Sequence, residues 1–312
     1  MIPLSMFFRQ PTFFRQHYVL GFLVVFTTLN LVSTVSGDEL RWKLETGKKF
    51  DVQITQETRV TTEANRNTIK IALVLSYEMD WEVLSKTKNG NAIVQQSFKR
   101  MTIRRERTKR ETVFYDTASE AEPTELTQPF ADVYDKLVGI KFKVEMSPSG
   151  QIVNVDVSKE DTETIRMIPE SMQARKLFEK RGLMEILSSG GFELPTKAIE
   201  KGFSWPVEKN RKMTFGTSIV KNIYTYIGMD DEQVAEFKVD GTATLTHHPK
   251  NVAEKPLKLK SQSQTGAIKF DNKAGHIKSI SMTQDMKTEK PYREMMIETE
   301  TKTVSNVKIS PK

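Results

Sequence analysis

The densest cluster of chemically capable residues is "FKRMTIRRERTKRE", residues 98–111. Lys99, Arg100, Arg104, Arg105, Arg107, Lys109 and Arg110 outnumber Glu106 and Glu111, which makes the segment a candidate anion-attracting strip. Acidic glycans or lipid head groups suit such a strip. Nucleic acid does not, because no aromatic residues interleave with the arginines as a stacking platform for single strands requires. A plainer reading stands beside it. Met101 and Ile103 alternate with polar neighbours, so the segment also reads as a strand with one face in a core and its cations in solvent.

Other chemistry is sparse. The chain has no cysteine, which removes a thiol nucleophile, a thiolate metal site and any disulfide. It has no Gly-x-Ser-x-Gly elbow and no phosphate-cradling glycine loop. His247 and His248 are adjacent, and adjacent residues on a strand point apart rather than converge on a metal. His276 follows a hairpin glycine. "GMDDEQ", with Asp230, Asp231 and Glu232, lacks the alternating oxygen ligands of a calcium loop and reads as a turn. Trp42, Trp81 and Trp205 each fall on or beside a strand, where core packing is expected before carbohydrate stacking. No catalytic residue, metal ligand or cofactor is assigned. A paired-carboxylate site of the glycosidase kind stays open, because any two of the 40 acids could meet in space.

Most of the chain alternates apolar and polar, the period of a strand with one face buried. In "IKIALVLSYEMDWEV", residues 69–83, every odd position is apolar. Leu75 and Trp81 are therefore expected inside, with Glu78 and Glu82 outside. Strands usually run about five or six residues, so one of this length must cross a large, curved sheet. Ala72 and Val74 also thicken its middle, where both faces read as covered, with a helix as one candidate for the cover. "LRWKL" sets Leu40, Trp42 and Leu44 in one phase, continued by Phe50, Val52 and Ile54. Hairpin turns are expected at "KNGN", "SPSG", "MDDE" and "DNKAG". Helical spacing appears in "PFADVYDKLV" and again from about Pro169 to Ser189, where Met172, Leu177, Phe178, Leu183, Ile186 and Leu187 form an apolar side.

The N-terminus has the three-part order of a secretory signal peptide. Arg9 and Arg15 precede the apolar run Tyr18 to Leu31, small residues follow, and Asp38 is the first acid. The run is shorter than the roughly 20 residues a spanning helix needs, so the mature chain is not expected to span a membrane with it. Periplasmic or extracellular location follows, and the absence of disulfides tilts this toward a bacterial envelope.

The ordered marks Asp80-Trp81, Tyr115-Asp116, Ser149-Gly150, Leu194-Pro195, Gly202 through Trp205, and Phe270-Asp271 before Gly275 resemble an uncharacterised family of secreted proteins frequent in planctomycete-type bacteria. The likeness covers most of residues 39–290. It implies export and a β-rich fold and carries no active site across.

The expected architecture is mainly β, a β-rich α+β fold: a large curved antiparallel sheet or unclosed barrel with a few helices on its concave face. An outer-membrane barrel is the weaker rival, since strands such as "TETKTV" offer no lipid face. The domain reading is a signal peptide at 1–37 and a β-rich domain at 38–312. Within it, halves at about 38–158 and 192–312 flank a helical segment at about 159–191. The halves read either as a duplication or as two independent meanders. Two function classes remain. One is a non-catalytic envelope module for a lipid, a glycan or an envelope protein. The other is a secreted hydrolase with a carboxylate site. Leader removal has a direct check: N-terminal sequencing of protein recovered from the envelope should begin within a few residues of Gly37, and an intact Met1 would refute export with cleavage.

Overall fold

The computed structural model describes residues 37–65, 67–169, 174–190, 192–213, 216–247, 257–292 and 295–312. The leader, Met172 and His248 lie outside them. One antiparallel sheet dominates. Its strands are β1 (Lys49–Ala64), β2 (Asn67–Lys86), β3 (Ala92–Arg107), β4 (Val113–Asp116), β5 (Lys141–Met146) and β6 (Ile152–Val157). The second series is β7 (Ser204–Met213), β8 (Gly216–Met229), β9 (Val234–His247), β10 (Lys258–Asp271), β11 (His276–Tyr292) and β12 (Met295–Pro311). The order across the sheet is β6-β5-β3-β2-β1-β12-β11-β10-β9-β8-β7, with β4 beside β3. The first and last strands of the chain thus meet at the centre. β6 and β7 are edges and do not pair with each other, so the sheet is unclosed and no hydrogen-bonded barrel forms among the described residues. Pro206 fits β7 because an edge strand can spare an N–H.

Register explains which side chains share a face. Phe50 lies opposite Trp81 and Val52 opposite Met79, so the odd residues of β2 share the inner face with the even residues of β1. The expected faces of Leu75, Trp81, Glu78 and Glu82 are those observed. Depth differs along each strand. Phe50 and Val52 are 2% and 1% exposed, and Val83 is 1%, whereas Leu75 is only half-buried. The core occupies the end of the sheet where β1 begins and the β5–β6 and β10–β11 hairpins turn. Beyond Ile54 the long strands project past it with both faces half-exposed. Threonine, valine and isoleucine sustain extended backbone there without a packed core. Among the described residues no helix covers Ala72 and Val74. Their outer-face neighbours in register are Arg59 and Glu57 on β1 and Glu106 and Arg104 on β3, whose long stems shield such small apolar groups.

The helices close the core end. They are α1 (Gln128–Leu137), α2 (Lys159–Arg166), α3 (Ala174–Phe178) and α4 (Lys180–Gly190). α1 sets Ala131 against Ile103 and Tyr115, and Leu73, Leu75, Phe130 and Tyr134 pack around that cluster. α4 lies against β6 and touches β7, spanning the gap between the two edges.

"LRWKL" corrects the sequence reading. Its alternation is real, since Leu40, Trp42 and Leu44 are all buried, but the segment is no strand of the sheet. It is an extended strap through the core, and its polar backbone is satisfied by turns. Trp42 N–H donates to Pro148 O at 2.9 Å, and Lys43 N–H to Gly275 O at 2.8 Å. Asp38 and Ile199 exchange two backbone bonds, and Tyr226 Oη donates to the Asp38 carboxylate at 2.5 Å. The strap thereby joins a hairpin from each wing of the sheet.

Gly150 shows how tightly that junction is built. A Cβ there would stand 2.5 Å from Trp42 Nε1 and 2.7 Å from Phe192 O, at a backbone φ of +92°. At Gly90, φ is +81° with open space around it. Gly90→Ala should cost the about 1–2 kcal/mol of left-handed backbone alone. Gly150→Ala should add about 1–3 kcal/mol of overpacking. Equal losses in urea denaturation would refute the strap's tight seat.

Candidate functional site: an uncharged trough on the inner face

The basic segment does not form one strip. Alternation on β3 sends Arg100 and Arg104 to the outer face and Arg105 and Arg107 to the inner face, while Lys109 and Arg110 lie in the turn beyond the strand. Lys99 sits at a bulge opposite the Glu78–Met79 step. It faces outward, 3.5 Å from Asp51 and 3.6 Å from Asp80. Arg100 grips Asp116 at 2.5 Å and approaches Glu78 at 3.6 Å. That fork, together with the Ala118 N–H, holds the Asp116 carboxyl below its ordinary pKa despite partial burial. Arg104 pairs with Glu106 at 2.8 Å. Sequence adjacency therefore overstated the density of free positive charge.

The outer face carries most of the sheet's charge. Lys49–Glu82, Lys269–Glu236, Lys287–Glu298 and Lys312–Asp80 are cross-strand ion pairs at 3.4, 2.7, 3.1 and 2.7 Å. Asp51 and Asp80 stand opposite each other in the ladder, which would suit a carboxylate-pair mechanism. Partial desolvation pushes the Asp51 carboxyl up, but Lys312 and Lys99 outweigh it and keep the group ionised below its ordinary pKa. A general acid at neutral pH needs the opposite shift.

The inner face above the core is built differently. One transverse row runs Asn222, Gly241, Gln264, Gln284, Thr303, Thr58 and Leu73 across β8, β9, β10, β11, β12, β1 and β2. A parallel row runs Met286, Thr301, Val60 and Ile71, and a third Thr288, Thr299, Thr62 and Ile69. None of these side chains is charged. The amides and hydroxyls bond to one another: Gln264 Nε2 donates to Asn222 Oδ1 at 3.1 Å, and Thr58 and Thr303 hydroxyls are 3.2 Å apart. At one side, where β9 and β10 diverge, Gln262 Oε1 accepts the Ala243 N–H in place of a ladder bond. The result is a trough with a polar, uncharged floor beside an apolar strip on β2.

Single-sequence reading missed this floor. Its signal was present, however, in the phase: Thr299, Thr301, Thr303 and Ser305 occupy the same alternation phase as buried Ile309. The substitution of hydroxyls for aliphatics within one phase marks where the core ends.

Elsewhere, Asp230 Oδ1 accepts from the Glu232 and Val234 N–H groups, so "MDDE" is an Asx-closed hairpin as expected. Among the described residues no three His, Asp or Glu side chains gather as metal ligands, and no helix is long and apolar enough to cross a membrane. Trp42 and Trp205 pack in the core, Trp42 edge-on to Phe270 at 5.8 Å and Trp205 stacked on Tyr224 at 5.6 Å.

The profile of a family described as "Family of unknown function (DUF6263)" matches residues 89–277. The chain belongs to this family. No curated protein matches the chain. Among solved structures, the chain is similar to lipovitellin, at 12% identity and a TM-score of 0.46 over 86% of this chain. The chain spans 26% of that protein's length. It is also similar to the COG4313 outer membrane channel from Pseudomonas putida F1, at 6% identity and a TM-score of 0.21, covering 86% of this chain and 97% of that one. OccK7 (OpdD) from Pseudomonas aeruginosa gives 6% identity and 0.24, covering 85% and 100%. At these values the likenesses carry nothing about ligands to this chain.

His276 is 4% exposed at the start of β11, with its ring 5.3 Å from Phe50. Burial pushes its imidazole below the ordinary pKa, against the opposing pull of Asp271. The unfolded chain then takes up a proton at higher pH than the folded one. Its contribution to stability is full above about pH 6.5 and is lost as the pH falls below that value toward the folded pKa. Urea midpoints should drop between pH 7.5 and 5.5, and the drop should shrink in His276→Gln. A midpoint rising over that range would reverse the assignment.

Proposed function

We propose that this protein is an exported, non-catalytic binding module whose inner-face trough takes an amphipathic ligand. The reading is carried by one observation: above the core, the inner-face rows that cross β11, β12, β1 and β2 are uncharged and mostly half-exposed, with hydrogen-bonding amides and hydroxyls on one side and aliphatic residues of β2 on the other. A ligand with an apolar body and polar, uncharged flanks matches both sides. An exposed face that mixes apolar strips with convergent polar groups is the usual form of a ligand site. Export is supported by the basic, apolar, small-residue order before Asp38. Location in a bacterial envelope belongs to the same proposal.

A fluorescent fatty-acid-like probe should bind saturably to the mature chain. Thr303→Trp, which fills the trough, should weaken it about tenfold or more, equivalent to about 1.4 kcal/mol. Ser281→Trp, on the outer face of the neighbouring strand, should leave affinity unchanged. Equal effects of the two substitutions, or no saturable binding at all, would overturn the proposal.

A further inference from the structure

We propose that Arg105 and Arg107 form the head-group site of this trough, and that the ligand is a single-chain amphiphile ending in a phosphate monoester. The proposal rests on the trough reading above and narrows it. Of the seven cations in the basic segment, these are the two on the inner face of β3. Arg105 lies opposite Leu73 and Arg107 opposite Ile71, so both border the aliphatic strip. Both are exposed, and among the described residues neither has a carboxylate within ion-pair distance, unlike Lys99, Arg100 and Arg104.

The Arg105 guanidinium is held over the Phe130 ring of α1, 5.7 Å from its centroid. That contact orients the group without neutralising it. Residues two apart on a strand lie about 6.6–6.8 Å apart along it, close enough for both guanidiniums to reach one anion. Two such forks present four donors and two positive charges, which fill the acceptor sites of a singly charged carboxylate and leave one charge unmatched. A phosphate monoester, with three terminal oxygens, can engage both. The rows Asn222 to Leu73 and Met286 to Ile71 offer an anion no other cation.

A tail has a seat leading away from this pair. From Arg107 the transverse row continues Ile71, Val60, Thr301 and Met286, crossing β2, β1, β12 and β11. Aliphatic and thioether groups dominate it, with a threonine methyl between them. A chain laid across these strands would keep its phosphate at the β3 flank and its methylenes on this row.

The test is calorimetric titration of the mature chain with dodecyl phosphate, dodecyl maltoside and inorganic phosphate, each amphiphile below its micelle concentration. Dodecyl phosphate is expected to bind about tenfold more tightly than dodecyl maltoside. The double variant Arg105→Gln/Arg107→Gln should erase that preference while leaving dodecyl maltoside binding intact. Arg104→Gln, on the outer face, should preserve it. If dodecyl maltoside binds and dodecyl phosphate binds no better, or the preference survives the double variant, the head-group assignment is wrong although the trough stands. Inorganic phosphate binding as tightly as dodecyl phosphate would make this a simple anion site and overturn the amphiphile. Failure of both amphiphiles to bind would remove the trough reading and this proposal together.

Discussion

An antiparallel sheet eleven strands wide has more inner face than the four short helices among the described residues can cover. That imbalance shapes the rest of the molecule. Apolar residues can line the inner face only where something is packed on them. Cover is concentrated at one end, where α1 to α4 meet the strap of residues 38–44. The strap matters because it ties the two wings together a second time, beside α4, which bridges edge strands β6 and β7. Trp42 reaches Phe270 on one wing, while its backbone N–H is bound by Pro148 in a hairpin of the other. An edge-open sheet thereby acquires one continuous core.

Above that core the chain meets a different requirement. Side chains must hold strands extended without burying much apolar surface and without presenting an aggregation-prone flat face. The outer face answers with charge, and its lysines and acids sit in opposed cross-strand pairs. The inner face answers with threonine, glutamine and asparagine. Charge is disfavoured on a concave, partly desolvated surface, where an unpaired ion costs more than on an open one. Neutral amides and hydroxyls avoid that cost by bonding to each other, as Gln264 with Asn222 and Thr58 with Thr303. The same chemistry leaves donors and acceptors that a ligand can share. Arg105 and Arg107 stand at the margin of this neutral region rather than within it, which is where an unpaired cation can keep its hydration.

Period-two alternation made the sheet, its turns and its faces legible. Each long strand fixes its own phase, and Leu75, Trp81, Glu78 and Glu82 fall on their expected faces. Depth was not legible, because Leu75 and Val83 look alike in a sequence and differ only in whether another segment lies over them. The strap was misread for a related reason: an extended segment buried on both sides alternates much as a strand does. "SWPVEKNRKM" carried too weak a pattern to be read as β7, since a polar edge strand that tolerates Pro206 lacks the usual signature. The trough could not be found at all from one strand. Its rows are built from residues as far apart as Thr58 and Thr303, and only the pairing of the first strand with the last brings them together.

Dividing the sheet into a packed end and a projecting end also divides its energetics. Phe50, Val52, Val83 and Ile309 lose nearly all contact with solvent, so the packed end carries the cooperative stability. In the projecting end Thr58, Val60, Leu73 and Thr303 are half-buried, and each strand is held chiefly by its ladder and its neighbours. Such regions open at lower free-energy cost than a core does. A ligand seated on rows that cross β11, β12, β1 and β2 would add the cover that this end lacks, and binding only the paired arrangement it would stabilise it by mass action. A recognition surface on the less-covered end would then follow from the topology. The strap and helices make one end rigid enough to keep the strands in register, and that register alone sets Thr58 beside Thr303 and Ile71 beside Arg107.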